Sequence, residues 1–481
     1  MAGKFCRRKN RGCETRSLFF TQNKTNDMMC ILMKEEYSMG KKEYIAEDIR
    51  RIVFDEDVKF IRLQFVDIFG TLKNVAITVE QLNRALNGEI MFDGSSIEGL
   101  LRSSESDMYL KPDLSTFEIF PWRPHQGKVA RLICDIYKAN GEPFGGDPRA
   151  VLKDTIKQAD SMGYDIKLAP EFEFFLFHTD ENGDPTRTTH DKAGYFDLGP
   201  IDLGENVRRD IVLTLQDMGF EIAASHHEVS PGQHEIDFAP DEVLKAADNI
   251  VTFKLVVKVI AQKHGLHATF MPKPLQHLNG SGMHTHISLF KKDGTNAFFD
   301  KDAENQLSET GYSFMAGLLH HAKAVTAVTN PTVNSYKRLI AGKEAPLKIG
   351  WSTLNASPLV RIPSVRNETA YLEYRSPDPS CNPYLALAAM ITAGLDGISK
   401  KMKASEQMSE QELTSMVKAF DFEQSLPKTL KDALIELESN PIIKASLGGV
   451  YNNYKLAKIT EWTEYMSTVH DWEVTKYISR Y

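Results

Sequence analysis

Cysteine is scarce. The 481-residue chain has five, of which Cys6, Cys13 and Cys30 lie near its start and only Cys134 and Cys381 fall within its patterned body. So few, so widely spaced, exclude a disulfide framework and suit a reducing, cytoplasmic setting. Long apolar runs are missing as well. Stretches such as Tyr384–Met390 fall far short of a bilayer span, so no membrane role is expected. There is no excess of positive charge: 57 Lys and Arg against 65 Asp and Glu leave a formal charge of −8. That balance argues against nucleic acid as a partner and suits an enzyme that concentrates its cations locally around small anions. Internal repeats and low-complexity tracts are absent too. Residues 1–41 hold a basic patch at Arg7, Arg8 and Lys9 but no apolar block followed by a small-residue cleavage site, and they read as a disordered extension.

Hydrophobic content of 42% and charged content of 25% are those of an ordinary folded chain long enough for two or three domains. Helical spacing over Ala46–Val58 gives way to alternation in Phe60–Phe65, a turn at Asp67–Gly70 and a second strand over Leu72–Val79. The strand Val129–Tyr137 completes a small α+β unit. Gly141, Pro143, Gly145 and Gly146 then mark the best domain boundary, dividing 42–145 from 146–481. Beyond it, helices over Arg149–Met162, Glu205–Met218, Asp241–Lys263, Leu307–Val328 and Pro383–Ser399 alternate with strands. These strands are Ile166–Phe177, Phe220–Ser225, Glu235–Phe238, His267–Met271, Met283–Phe290 and Tyr371–Arg375. Thr179–Tyr195 and Thr329–Thr369 read as long polar loops, which are usually functional or disordered.

Chemistry concentrates on the strands. In Pro170-Glu-Phe-Glu-Phe-Phe, Glu171 and Glu173 leave one face of a strand whose phenylalanines argue for burial. Two acids side by side there need cations, unless the strand is an edge facing solvent. The same pairing recurs in His284 with His286, Glu373 with Arg375, and Glu235 with Asp237. Glu171, Glu173, Glu228, Glu235, His284 and Glu373 form a donor set too large for one small ion and suited to two. Hard oxygens with a single imidazole favour Mg²⁺ or Mn²⁺ over zinc. Asn279-Gly-Ser-Gly-Met-His284 carries open backbone near that strand, yet it lacks the lysine of a Walker loop and reads equally as a tight turn. His226-His-Glu228 lacks the helical i,i+4 spacing of a zinc protease. Arg338, Arg361, Arg366 and Arg375 supply fork-shaped donors for carboxylate or phosphate, or else ordinary surface ion pairs.

Several motifs together resemble one family. They are Phe92-Asp-Gly-Ser-Ser-Ile-Glu-Gly99, Pro170–Phe175, His226-His-Glu-Val-Ser-Pro-Gly-Gln-His-Glu235, the Lys-His-Gly-Leu-His-Ala-Thr-Phe-Met-Pro-Lys-Pro run ending at Pro274, Asn279–His284, Asn330–Arg338 and Asn382–Ala386. In this order, from about residue 42 to the carboxyl end, they are similar to bacterial type I glutamine synthetase. The shorter, Gram-positive form is the nearer match, because no tyrosine occurs in Ile398–Leu430, where the adenylylated branch carries its modified tyrosine.

The resemblance implies an α+β protein with an amino-terminal β-grasp domain and a catalytic domain built on a curved, mostly antiparallel sheet flanked by helices. It implies a homo-dodecamer of two stacked hexamers with active sites between adjacent subunits, and it leaves room for a regulatory protein partner. The implied reaction joins ammonia to glutamate, using ATP and two or more divalent ions, through γ-glutamyl phosphate. Glu173, Glu228 and Glu235 match ligands of the ion nearer glutamate; Glu171, His284 and Glu373 match those of the ion on ATP. Asn279, Gly280, Arg338 and Arg375 match the glutamate site. His286 and Ser288 lie towards the nucleotide and Arg361 towards phosphate. Asp67 from the adjacent subunit matches the ammonium site, Glu344 sits on the closing flap, and Arg102 matches the arginine of glutamine feedback.

The chain also departs from the family pattern. Gly342-Lys-Glu344 and Asn355-Ala-Ser357 stand where Gly-Tyr-Glu and Asn-Arg-Ser are usual, and Asn367-Glu-Thr369 replaces a glycine- and serine-rich stretch. Two alternatives are therefore carried: a γ-glutamyl ligase for a bulkier amine, and a weakly active or non-catalytic regulatory paralogue.

Overall fold

The computed structural model describes residues 44–97, 107–123, 126–340, 344–354, 358–363, 369–414 and 424–481. Helix α1 (Ala46–Asp55) buries Ile49 and Val53 against a five-stranded sheet. That sheet runs β2 (Leu72–Thr78), β1 (Val58–Val66), β5 (Lys128–Lys138), β4 (Asp107–Ile119), β3 (Ile90–Asp93), with the short helix α2 (Leu82–Leu86) between β2 and β3. The β1–β5 pair is parallel and the other pairs are antiparallel. Alternation in β1 sends Ile61, Leu63 and Phe65 into the core. Strand β4 was not expected from the sequence. Pro112 interrupts its pattern, and its pairing with β5 slips between Asp113 and Glu118, so period-two alternation is lost.

The larger sheet is organised around β6 (Tyr164–Thr179). Helix α3 (Pro148–Ser161) precedes it; β7 (Pro185–Thr189), α4 (Glu205–Asp217), β8 (Ile222–His227), β9 (Gln233–Phe238), β10 (Asp241–Glu242) and α5 (Val243–Lys263) follow. Then come β11 (Leu266–Thr269), β12 (Met283–Lys291), α6 (Glu309–Thr329), α7 (Ser335–Arg338), β13 (Trp351–Ser352), β14 (Val360–Arg361), β15 (Leu372–Tyr374) and α8 (Pro383–Ser399). The strand order is β13-β14-β15-β12-β6-β9-β8, with β7, β10 and β11 also pairing with β6. All pairs are antiparallel except β13–β14. Thus the two long polar segments are not structureless: β7 lies in the first, and α7, β13 and β14 lie in the second. Each element there is only two to five residues long, too short to show a period.

One face of this sheet is mostly apolar. Phe172 of β6 packs on Phe253 of α5, with ring centroids 5.1 Å apart, and Phe238 of β9 meets the same ring at 5.2 Å. The other face carries the polar pairs. The β1–β2 turn of the first sheet rests on the start of α8, and there Gly70 adopts a φ of +80°. A Cβ there would stand 2.7 Å from the Cα of Asn382, which caps α8, so both conformation and contact require glycine. Among the described residues no helix is long and apolar enough to cross a membrane.

Candidate active site

Strand register builds the site. Directly opposed residues share a face, so the pairs Glu173–Glu235, Glu171–Asp237, His284–Glu171, His286–Glu373, His226–Glu235 and Arg361–Glu373 all project to one side of the sheet. These residues come from six strands, separated by up to two hundred positions in sequence.

The row has two electrically different halves. In one, His284 Nδ1 lies 3.1 Å from Glu171 Oε2 and 3.8 Å from Glu373 Oε1, while His286 Nε2 approaches Glu171 Oε1 at 2.9 Å. Arg361 Nη1 donates to Glu373 Oε2 at 2.8 Å, and Arg375 Nη1 donates to the other oxygen. Burial works against ionisation here, yet the charges of His286 and hydrogen bonds from both histidines hold Glu171 well below the usual range. Against the same burial, Arg375 holds Glu373 down.

The other half has acids without enough cations. Burial and then the charge of Glu228 push Glu173 up to about 8. Burial and then Glu171 push Asp237 up to about 8. Glu235 is driven up by burial, then by Asp237 and Glu173. His226 stands 3.8 Å from Glu228 and 3.9 Å from Glu235. Buried carboxylates that keep protons for want of positive charge fit a divalent cation. Among the described residues, ligand atoms of Glu171, His286 and Glu373, and of His226, Glu228 and Glu235, lie within 4.8 Å of one another. Such Asp, Glu and His clusters accord with a requirement for divalent cations.

Backbone closes the site's rim. A Cβ on Gly282 would meet Arg338 Nη2 at 2.7 Å, Glu173 Oε1 at 3.0 Å and His284 Nε2 at 3.1 Å; one on Gly280 would meet the carbonyl oxygen of Pro272 at 2.4 Å. Arg338 is fixed by the carbonyls of Ser376 (2.7 Å) and Arg375 (3.2 Å). Asn279 Nδ2 donates to Glu344 Oε2 at 3.0 Å, and Glu344 has a φ of +60°. Burial and then Glu228 raise its carboxyl. Ser288 Oγ donates to the carbonyl of Ala370 at 3.1 Å, and the His286 ring stacks on Tyr371 at 4.4 Å.

Asp67 stands apart. Only 2% exposed, it accepts hydrogen bonds from the amides of Phe69 and Thr71 within its own turn and pairs with Lys73 at 3.4 Å. Arg102, Lys343, Ala356 and Arg366 lie outside the described residues. Gln233 was missed by the sequence reading. Its Nε2 donates to Glu173 Oε2 at 2.7 Å and to the carbonyl of Gly280 at 3.2 Å. Its signal was there, since Gln233, Glu235 and Asp237 are spaced by two on β9. His226 lacks the helical spacing of a zinc protease, yet strand pairing brings it to Glu235.

Comparison with known proteins places this geometry. The glutamine synthetase β-grasp domain matches residues 57–139, and the glutamine synthetase catalytic domain matches 145–477. The chain belongs to the glutamine synthetase family. It is 55% identical to a glutamine synthetase of Clostridium saccharobutylicum, over 91% of this chain and all of the relative. It is also 55% identical to one of Staphylococcus aureus, over 92% of this chain and all of that one. Among solved structures, the GmaS/ADP complex superposes with a TM-score of 0.81 at 31% identity, over 90% of this chain and 99% of that one. The Plasmodium falciparum glutamine synthetase superposes at 0.79 with 26% identity, over the same shares. The high identity to these two synthetases favours ammonia as acceptor over a bulkier amine. The chain is therefore a bacterial type I glutamine synthetase close to the Gram-positive group, an ATP-dependent ligase that makes glutamine from glutamate and ammonia.

Proposed function

We propose that the polar face is divided between two divalent ions, Mg²⁺ or Mn²⁺. Glu173, Glu228 and Glu235 hold one beside glutamate and ammonia; Glu171, His284 and Glu373 hold the other beside the phosphates of ATP. The observation that carries this reading is that the face holds two separate donor clusters, one at Glu171, His286 and Glu373 and one at His226, Glu228 and Glu235. Bound there, the ions would offset charge on the phosphate oxygens during transfer.

The chain's own groups do the rest. Arg361 Nε and Arg375 Nε are buried and have no acceptor among the described residues, which leaves fork-shaped donors for anionic oxygens of phosphate and of glutamate. Arg338, Asn279 and Gly280 line the glutamate site, and His286 and Ser288 line the nucleotide site. The γ-carboxylate attacks the γ-phosphorus and ADP leaves, giving γ-glutamyl phosphate. Ammonia then attacks the carbonyl carbon and displaces phosphate, its proton passing to Glu344. The flap bearing Glu344 excludes water that would hydrolyse the acyl phosphate. Asp67 acts at the ammonium site of an adjacent subunit, in a cytoplasmic dodecamer of two stacked hexamers, with Arg102 mediating glutamine feedback. The division of the chain into 42–145 and 146–481 belongs to the same reading.

Purified protein supplied with glutamate and ATP should release ADP only when ammonium is added, with glutamine accumulating in step. Turnover selective for a bulkier amine, or none with any amine, would contradict this. Ala356→Arg, which restores the arginine usual in the family, should raise kcat; an unchanged or lower kcat removes Ala356 from the account.

A further inference from the structure

His226 and His227 are neighbours on β8, so they point to opposite faces, as do His234 and Glu235 on β9. The register pairs His226 with Glu235 on the site face and His227 with His234 behind it. Both rear histidines are fully buried, their rings edge to face at 4.9 Å, alongside buried Asp191, Asp202 and Arg208. Ligand atoms of Asp191, Asp202, His227 and His234 lie close enough together for a metal, but a guanidinium already stands there. Arg208 Nη1 lies 2.8 Å from Asp202 Oδ2 and 2.9 Å from His234 Nδ1. A guanidinium only donates, so His234 Nδ1 accepts and Nε2 carries the proton, with no lone pair left for an ion.

Asp191 does something different. Its Oδ1 accepts from the amide of Gly232 at 2.8 Å and faces His227 Nε2 at 3.0 Å. The other nitrogen of His227, Nδ1, donates to the carbonyl of Glu228 at 2.6 Å. One carboxylate oxygen thus ties both ends of the turn that joins β8 to β9. Between those ends, the amide of Glu228 donates to Gln233 O at 2.8 Å and Gly232 takes a φ of +69°.

We propose that Asp191 is a positioning residue: through His227 and the Gly232 amide it sets the turn that presents Glu228, and so pre-forms the glutamate-side ion site from behind the sheet. This rests on the reading of Glu228 as a ligand of that ion. Partners behind ligands commonly change metal affinity by about 10–100-fold when removed.

Metal-stripped full-length protein, titrated with Mn²⁺ while free ion is followed by electron paramagnetic resonance, tests it. Asp191→Ala should weaken one of two ions by about tenfold or more and leave the other unchanged, and Asp191→Asn, which keeps one acceptor oxygen, should recover most of the loss. Both ions unchanged, or both weakened alike, would overturn the proposal. Glu228→Gln separates the two ideas: if it still binds both ions at full affinity, the ligand reading fails rather than the positioning. Hydrogen exchange on the wild-type protein needs no variant to fold. The Gly232 amide should be protected before Mn²⁺ is added; protection that arises only with Mn²⁺ would mean that the ion orders the turn, and the proposal falls.

Discussion

Glu173, Glu235 and Asp237 share a face on paired strands, and burial pushes each towards the neutral form, reinforced by Glu228 for Glu173, by Asp237 and Glu173 for Glu235, and by Glu171 for Asp237. A carboxyl must lose its proton to bind a cation, so ion binding and proton release are linked. With Glu173 and Asp237 both held up to about 8, these two carboxyls keep their protons at neutral pH in the metal-free protein. Mn²⁺ affinity should therefore climb through neutrality and level off above about pH 8, with protons released near pH 7 and fewer near pH 9. Calorimetry in buffers of different ionisation heat measures this, and a pH-independent affinity would contradict it. At this scale the acids were legible in the sequence, because alternation on an apolar strand is a strong signal for Glu171 and Glu173. Gln233 and His226 were harder to read. Their importance comes from cross-strand neighbours some sixty and nine positions away, and no local pattern shows register.

Elements that show an unbroken period or a cap can be read from the sequence, and those that do not stay hidden. Strands β6 and β12 and helices α3, α5 and α8 have enough residues to show a period, and Asn382-Pro383 marks the start of α8 by cap and first-turn proline. Strand β4 hides behind Pro112 and its slipped register, and β13 and β14 are two residues each, whereas β15 falls within the expected strand Tyr371–Arg375. The approach to β12 shows how an element's geometry serves the site. Gly282 lies where a side chain would strike Arg338, Glu173 and His284. Gly282→Ala should lower kcat/KM by about 100-fold or more while shifting Tm only modestly, since a misplacement of about 1 Å in a positioned site costs on that order. Assay and thermal melt together check this; full activity in a folded Gly282→Ala protein would count against the assigned geometry.

Across the whole molecule, one side chain joins the first sheet to a helix that packs behind the second. Buried Arg149, at the start of α3, reaches Asp113 of β4 and Asp135 of β5, each at 2.8 Å, and Asp248 of α5 at 2.7 Å. Tyr384 of α8 donates to the same Asp248 at 2.7 Å. Arg149→Met should leave three acids without their common cation and destabilise the fold by about 3–5 kcal/mol, read by denaturant unfolding; a change within about 0.5 kcal/mol would show that the network contributes little. None of this was legible beforehand, because the partners lie 14 to 99 positions away and no spacing rule links them. What could be read was the family, since its motifs are local, whereas the network linking the first sheet to the helices is not. The central claim is that the carboxylate face holds two separate ions. Equilibrium Mn²⁺ binding to metal-stripped protein tests it most directly: two ions per chain in the wild type and one in each of Glu228→Gln and Glu373→Gln are predicted, and two ions at unchanged affinity in either variant would contradict it.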